Sequence, residues 1–380
     1  MPFEKVTLAE TQAERQACAR FNYEVYVEEL GYAPSGTDHE RRIVWDELDT
    51  SPWSHHYYAG EIDEIRGILR MIVWPPGEID PTMFETYSMG LFEGIETLTI
   101  MEVGRLALRP TLRGKLVFPS LARRVFEDGG LHHGVDLGFS ECRPGLVPHY
   151  RRMGLRPYRA DLTQTPEGLM VPMVLVMSDF EYQRAMGSLT EDLTTRIFGP
   201  GGRPPLDITP FASLLNQDRQ HIEDLPDRVW AAIENDLTIG RAPPALLDGI
   251  SGSDRRTIFD GGLVLKLESG ANAAVEGRNE DEIYLVLEGQ LEVIACGHNV
   301  AMLRAGEVFG EMAFFRETHK RSATVRAVEP CRILALSRNF LERLKVDHPN
   351  VAFAILFNLG RIVSERLARQ IVQPGPFLWR

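Results

Sequence analysis

Hydrophobic and polar positions change their period twice along the chain. Residues 11 to 29 read as a helix, and Ser54–Gly60, Ile65–Trp74 and Leu98–Leu108 read as strands. After Arg109-Pro110 the pattern predicts a helix through Phe126, a strand over Val135–Cys142, a short helix near Leu146–Met153 and an apolar strand over Leu169–Val176. Strand, helix, strand, helix, strand is the order of a mixed α+β domain. The segment Gly199-Pro200-Gly201-Gly202-Arg203-Pro204-Pro205 cannot hold regular structure, because glycine has no conformational preference and proline lacks the amide donor. The domain boundary therefore falls between about 180 and 215. Residues 215 to 250 read as amphipathic helix leading into a second domain. From Thr257 to Leu336 short strands punctuated by glycine, as in Ile283–Glu288, Gly289 and Gln290–Ala295, predict an all-β roll. A long helix closes it. Val351, Ile355, Leu359 and Ile362, with Leu356, Val363 and Leu367, form its apolar stripe, which can pair two subunits or pack on the roll. The expected division is 1–180, a connecting region 181–250, and 251–380.

Composition narrows the function classes. A chain of 380 residues exceeds what one core usually organises, and 44% apolar with 25% charged residues is a globular balance. Leu169–Met177 is too short to span a bilayer, and the start of the chain lacks a basic-then-apolar leader, so a cytoplasmic protein is expected. Cys18, Cys142, Cys296 and Cys331 are scattered without a close pair, which suggests neither a zinc site nor a disulfide framework. A net charge of -13 opposes a phosphate backbone and disfavours nucleic-acid binding. The pairs His55-His56 and His132-His133 invite a metal reading, but adjacent strand residues face opposite ways, and no metal is expected.

The run Leu303-Arg304-Ala305-Gly306-Glu307-Val308-Phe309-Gly310-Glu311-Met312-Ala313, followed by Lys320-Arg321-Ser322-Ala323-Thr324-Val325, resembles the phosphate-binding cassette of cyclic-nucleotide-binding domains of the bacterial catabolite-activator type. Gly270, Glu276-Gly277 and Tyr284–Gly289 fall where that family's β-roll, a cupin-like jelly roll, places its turns. The chemistry fits independently. Gly310 lets backbone amides approach a phosphate at a helix start. The Arg321 guanidinium suits two phosphate oxygens, with the Ser322 hydroxyl as a further donor. The resemblance implies that Glu311 accepts the ribose 2′-hydroxyl hydrogen, beside Met312 and Ala313, with cyclic AMP as the first-choice ligand. The stretch Val363–Leu367 lacks the adjacent Thr-Ser pair that contacts adenine in the resembling activators. The competing structural reading is a simple ion pair of Glu311 and Arg321 in an empty roll.

The first 180 residues resemble acyltransferases of the GNAT superfamily, and more narrowly the autoinducer-synthase and N-acyl amino acid synthase branch. Asn22–Tyr32 is similar to that branch's opening helix, although Asn22 stands where the branch usually has Arg, and Trp45-Asp46-Glu47-Leu48-Asp49 resembles its paired-aspartate segment. Ile68-Leu69-Arg70 fits a strand arginine, Glu102-Val103-Gly104-Arg105-Leu106 a Glu-x-x-Arg strand, and His149–Leu155 a Tyr-containing helix. Acyl transfer to an amine needs a base for the ammonium proton, donors for the oxyanion and an acid for the departing thiolate. The resemblance implies Glu102 as base and Tyr150 as acid, with Asp46, Asp49, Arg70 and Arg105 as a charged cluster ordering the entrance or the acceptor. Surface ion pairing is the plainer reading of that cluster. Glu102 and Arg105, three apart, point to opposite faces of an ideal strand, so a bulge is needed to unite them.

Pro110–Phe118 resembles the loop that holds coenzyme A pyrophosphate, with Arg113, Gly114 and Lys115 toward the acyl donor. Leu116 and Phe118 replace its small residues, and the narrower branch takes acyl chains from acyl carrier protein, so acyl-CoA and acyl carrier protein both stay open as donors. Three functions follow from the pairing of domains: a cyclic-nucleotide-regulated N-acyltransferase acting on a small amine, a cyclic-AMP-regulated protein-lysine acetyltransferase, or a cyclic-nucleotide receptor without catalysis.

Overall fold

The run Ile65–Trp74 carries too many consecutive large apolar residues for a strand with one wet face, and it lies within a sheet covered on both sides. The computed structural model describes residues 3–109, 117–159, 163–165, 168–215, 244–280, 282–315 and 320–372. The chain divides into two compact units, Met1–Arg159 with Thr165–Asp218, and Ala160–Gln164 with Arg219–Arg380. Most of the 215–250 segment and the donor-loop residues Arg113, Gly114 and Lys115 lie outside the described residues.

The sheet of the first unit contains β1 (Val6–Leu8), β2 (Ser54–Glu61), β3 (Glu64–Trp74), β4 (Ile100–Leu108), β5 (Leu137–Cys142), β6 (Leu155–Pro157) and β7 (Gly168–Val176), in the spatial order β1-β2-β3-β4-β5-β7-β6. Its helices include α1 (Gln12–Asn22), α2 (Glu47–Thr50), α3 (Val117–Leu131) and α4 (Val147–Arg151). β4 and β5 are parallel, and α3 lies between them in sequence, as a parallel step requires. Alternation along β3 sorts its side chains. Leu69, Met71 and Val73 pack on Leu121, Val125 and Phe126 of α3, while Ile72 and Trp74 join Tyr87, Phe92 and Phe139 on the other face. Ile65 and Ile68 meet Cys18 and Phe21 of α1.

Two elements depart from expectation. The helix read over 11–29 is α-helical only to Asn22 and continues as a π-helical turn over Tyr23–Glu29. Thr11 and Glu14 close its start as a reciprocal capping box. The strand expected from Leu98 begins at Ile100, because Ile95–Thr97 forms a tight 3-10 turn.

The second unit is the expected antiparallel roll. Its elements are α5 (Gly252–Gly261), β8 (Leu263–Leu267), β9 (Asn272–Ala274), β10 (Ile283–Glu288), β11 (Gln290–Ala295), β12 (His298–Arg304), β13 (Val308–Phe309), α6 (Glu311–Phe315), β14 (Thr324–Ala327), β15 (Cys331–Leu336), α7 (Arg338–Asp347) and α8 (Pro349–Val372). Two four-stranded sheets, β8-β15-β10-β13 and β9-β14-β11-β12, make its walls. The stripe residues Val351, Ile355, Leu359 and Ile362 of α8 pack against Ile283, Leu285 and Leu334 of the roll. Buried Asn358 ties α8 down by donating to the carbonyls of Leu246 and Asp248 at 2.9 and 2.8 Å.

Candidate functional site

Asp46 and Asp49 are held by the local geometry of a helix start. Asp46 caps α2 by accepting from the Asp49 amide at 3.1 Å, and the Asp49 carboxylate accepts from the Asp46 amide at 2.9 Å. This reciprocal pair explains the spacing of three and fixes both carboxylates at one point. From that point they receive two arginines. Arg70 on β3 donates to Asp49 at 2.9 Å and to Glu102 on β4 at 3.2 Å. Arg105 donates to Asp46 at 2.6 Å and to Asp49 at 3.3 Å.

Arg105 reaches this face because β4 carries a bulge. Ile68 of β3 pairs with Ala107 and Arg70 with Gly104, so a single residue on β3 faces two on β4, Arg105 and Leu106. Arg105 takes the left-handed conformation, φ 54°, which costs a side chain about 1–2 kcal/mol and marks a position fixed by its surroundings. The extra residue brings Arg105 and Glu102 together, and the cluster is not a surface feature: Asp49 is 3%, Glu102 4% and Arg70 5% exposed.

Burial raises the Glu102 carboxyl above its ordinary value, opposed by the charge of Arg70. Burial and the neighbouring Asp49 charge raise Asp46 as well. Burial also works on Asp49, but there the Arg70 and Arg105 guanidiniums prevail and hold the carboxyl below its usual range.

Two further members of the cluster belong to no motif in the sequence. His56 stands next to His55 in the sequence, where nothing distinguishes the two. Strand alternation does separate them: His55 faces the His133 ring at 4.6 Å, whereas His56 is buried in the cluster, opposite Arg70 across β2 and β3. The His56 Nε2 lies 3.2 Å from the Ser54 hydroxyl and 3.3 Å from the Asp49 carbonyl, and its ring stacks on Trp45 at 4.4 Å. Burial pushes its pKa down to about 4, so the imidazole is neutral at pH 7. Tyr87 is the other, its hydroxyl donating to Glu102 at 3.5 Å. Among the described residues no group of three or more His, Cys, Asp or Glu is placed to hold a metal ion.

Beside this cluster the sheet opens. The parallel pairing of β4 with β5 runs only from Ile100–Leu137 to Glu102–Phe139, and beyond it the Ser140 hydroxyl donates to the Val103 carbonyl at 2.7 Å. A small apolar cleft, open to solvent on one side, lies at this divergence. Met101 and Val103 line it, so it opens on the face opposite Glu102. Phe118 and Val125 of α3, Tyr150 of α4 and Met153 in the turn after it complete an apolar wall. Tyr150 is buried against the Phe118 ring at 5.5 Å, and burial raises its hydroxyl well above the ordinary value, so it keeps its proton at neutral pH.

In the roll, Gly310 is left-handed, φ 86°, and a β-carbon there would stand 2.4 Å from Arg321 Nη1 and 2.6 Å from the Glu282 carbonyl oxygen. Only glycine permits that approach. Arg321 turns toward Gly310 and is 4% exposed. It donates to the Glu280 carboxylate at 2.8 Å, the Glu282 carbonyl at 2.9 Å and the Gly310 carbonyl at 3.2 Å, over the Tyr284 ring at 5.4 Å. Glu311, also buried, is not paired with Arg321. It accepts from Arg366 of α8 at 2.7 Å, and Arg366 also donates to the Val308 carbonyl at 2.5 Å. Ala313 is buried, Met312 is exposed, and the Ser322 hydroxyl lies 3.7 Å from the Met312 sulfur. Neither Glu280 nor Arg366 belongs to a motif: Glu280 stands in an acidic run before β10, and Arg366 is one of three arginines on α8.

Residues 17–179 match the family model for the N-acyl amino acid synthase FeeM, and residues 264–348 match the model for the cyclic nucleotide-binding domain. Glutaminase 1 of Bradyrhizobium diazoefficiens is 28% identical over 141 residues, covering 37% of this chain and 23% of that protein. The cAMP-dependent protein kinase regulatory subunit of Yarrowia lipolytica is 31% identical over 124 residues, covering 29% of this chain and 33% of that protein. The chain thus spans a third or less of the length of these curated relatives. The solved structure of FeeM, an N-acyl amino acid synthase from uncultured soil microbes, is 17% identical at a TM-score of 0.38, covering 51% of this chain and 99% of that one. By its two family matches the chain joins a domain of the N-acyl amino acid synthase FeeM family to a cyclic nucleotide-binding domain.

Proposed function

We propose that the first unit is a GNAT-type enzyme that transfers an acyl group from a thioester, carried by coenzyme A or acyl carrier protein, to the amine of an amino-acid-like small molecule, and that a cyclic nucleotide in the roll controls it. The observation that carries this reading is the bulge in β4, which gathers Glu102, Arg105, Arg70 and the two aspartates beside the opening between β4 and β5. The apolar cleft, on the face opposite Glu102, is assigned to the acyl chain, with the thioester carbonyl reaching the Glu102 face through the gap between β4 and β5. Glu102 takes a proton from the acceptor ammonium, and a carboxyl raised by burial is a stronger base for that step. The freed amine attacks the thioester carbonyl, the C–N bond forms and the C–S bond breaks. Tyr150, protonated at neutral pH, gives its proton to the departing thiolate and regains one from the attacking nitrogen. That nitrogen sheds its second proton as the amide forms, while the proton held by Glu102 passes to water. Arg113, Gly114 and Lys115 are assigned to the donor's phosphate groups.

The effector reading rests on Gly310, Glu311, Met312, Ala313, Arg321 and Ser322, with cyclic AMP first because the Yarrowia relative's name specifies it. Arg366 would transmit the signal: a ribose hydroxyl donating to Glu311 competes with Arg366, loosening a tie between the cassette and α8. Coupling of this kind is typically worth about 1–3 kcal/mol.

Thiol release from acyl-CoA and acyl carrier protein donors, with free amino acids as acceptors and with and without cyclic AMP, tests the whole reading. Release with amino acids that changes on adding nucleotide supports it. Transfer confined to lysine peptides points instead to a protein acetyltransferase. Absence of transfer with every donor, while nucleotide still binds, points to a receptor.

A further inference from the structure

Resting on the reading that the roll binds a cyclic nucleotide, we infer that Glu280 is an internal competitor for the phosphate and sets the affinity of the site. A guanidinium has five N–H donors, and three of those on Arg321 are engaged within the protein. Two go to backbone carbonyls, which are fixed. The third goes to the Glu280 carboxylate at 2.8 Å, and both residues are almost wholly buried. A carboxylate and a phosphodiester present the same feature to arginine, two oxygens sharing one negative charge. Glu280 therefore satisfies Arg321 as the phosphate would, and the Glu282 carboxylate, 3.8 Å from Nη2, adds a second negative charge against an incoming anion.

The surrounding backbone makes Glu280 the member that must move. The Gly277 amide donates to the Arg321 carbonyl at 2.9 Å, the Arg321 amide donates to the Arg278 carbonyl at 2.8 Å, and Asn279 bridges Lys320. Arg321 is thus held at its backbone, at two of its nitrogens and by the Tyr284 ring. Rotation of the Glu280 side chain clears its Nε edge without disturbing those ties. Cyclic nucleotide binding becomes an exchange of one anion for another at a preorganised cation, and the roll responds only when the nucleotide is concentrated enough to displace Glu280.

The experiment is isothermal titration of the full-length protein with 3′,5′-cyclic AMP and 3′,5′-cyclic GMP, for the wild type, Glu280→Gln and Glu280→Asp. Glu280→Gln keeps the shape and removes the charge, so it should bind at least about tenfold more tightly, as expected for loss of a charge-assisted contact. Glu280→Asp keeps the charge on a stem one methylene shorter and should fall between the two. Tight binding by Glu280→Gln where the wild type shows none also supports the inference. Wild-type binding that neither variant improves overturns it and leaves the nucleotide reading standing. No binding by any of the three proteins overturns both. Should Glu280→Gln fail to fold, Glu280→Asp decides alone, tighter binding supporting the inference and equal or weaker binding overturning it.

Discussion

The Glu102 carboxylate lies over Gly104: a β-carbon at position 104 would stand 2.3 Å from Glu102 Oε1. The obstacle is the end of a side chain, which can swing aside, so Gly104→Ala should cost little stability while displacing the proposed base. We expect kcat/KM for acyl transfer to fall at least about tenfold, with the thermal midpoint within a few degrees of wild type. Steady-state thiol release beside a melting curve checks this, and unchanged kinetics would remove Glu102 from the reaction.

Glu102→Gln preserves the volume and abolishes the base. Loss of general-base catalysis typically costs about 10²–10⁴ in rate, so kcat should fall by that order with KM little changed. A rise in KM alone would assign Glu102 to acceptor binding.

Arg70→Ala strips the buried cation shared by Asp49 and Glu102. Leaving buried carboxylates without their partner costs about 3–5 kcal/mol, and urea unfolding of the first unit should show a loss of that size. A loss under about 1 kcal/mol would mean that water or Arg105 replaces the pairing.

His56 makes stability depend on pH with a definite sign. Its folded pKa is about 4 against an ordinary 6.5, so the unfolded chain binds this proton more readily. The stability it contributes is complete above about pH 6.5 and is lost as pH falls from there toward 4, by about 3 kcal/mol in all. His55, depressed by burial and by His133, adds a slope of the same sign. In His56→Gln the unfolding midpoint should decline less between pH 7 and pH 4.5 than in wild type, and parallel declines would count against a buried neutral imidazole.

Arg366→Ala cuts the tie between α8 and the cassette while leaving Arg321 in place. Cyclic AMP should still bind, but its effect on acyl transfer should shrink toward none. Activity titrations with bound nucleotide measured in the same samples distinguish this from lost binding.

Much of this molecule was legible from residue order. Alternation, helical spacing and glycine punctuation depend on local geometry, so they revealed the α+β half, the roll and the closing helix. Motif spacing likewise singled out Asp46, Asp49, Arg70, Glu102 and Arg105, and in the roll Gly310, Glu311 and Arg321. The tertiary structure decided which of these share a partner. The register between β3 and β4 created the bulge that unites Glu102 with Arg105, and no period within one strand encodes the register of two. Strand pairing likewise moved His56 from a surface-like histidine pair into the buried cluster. In the roll, folding gave Arg321 to Glu280 and Glu311 to Arg366, residues 41 and 55 positions away. Ion pairs form between side chains that the fold brings within about 4 Å, and separation along the chain carries no information about that distance.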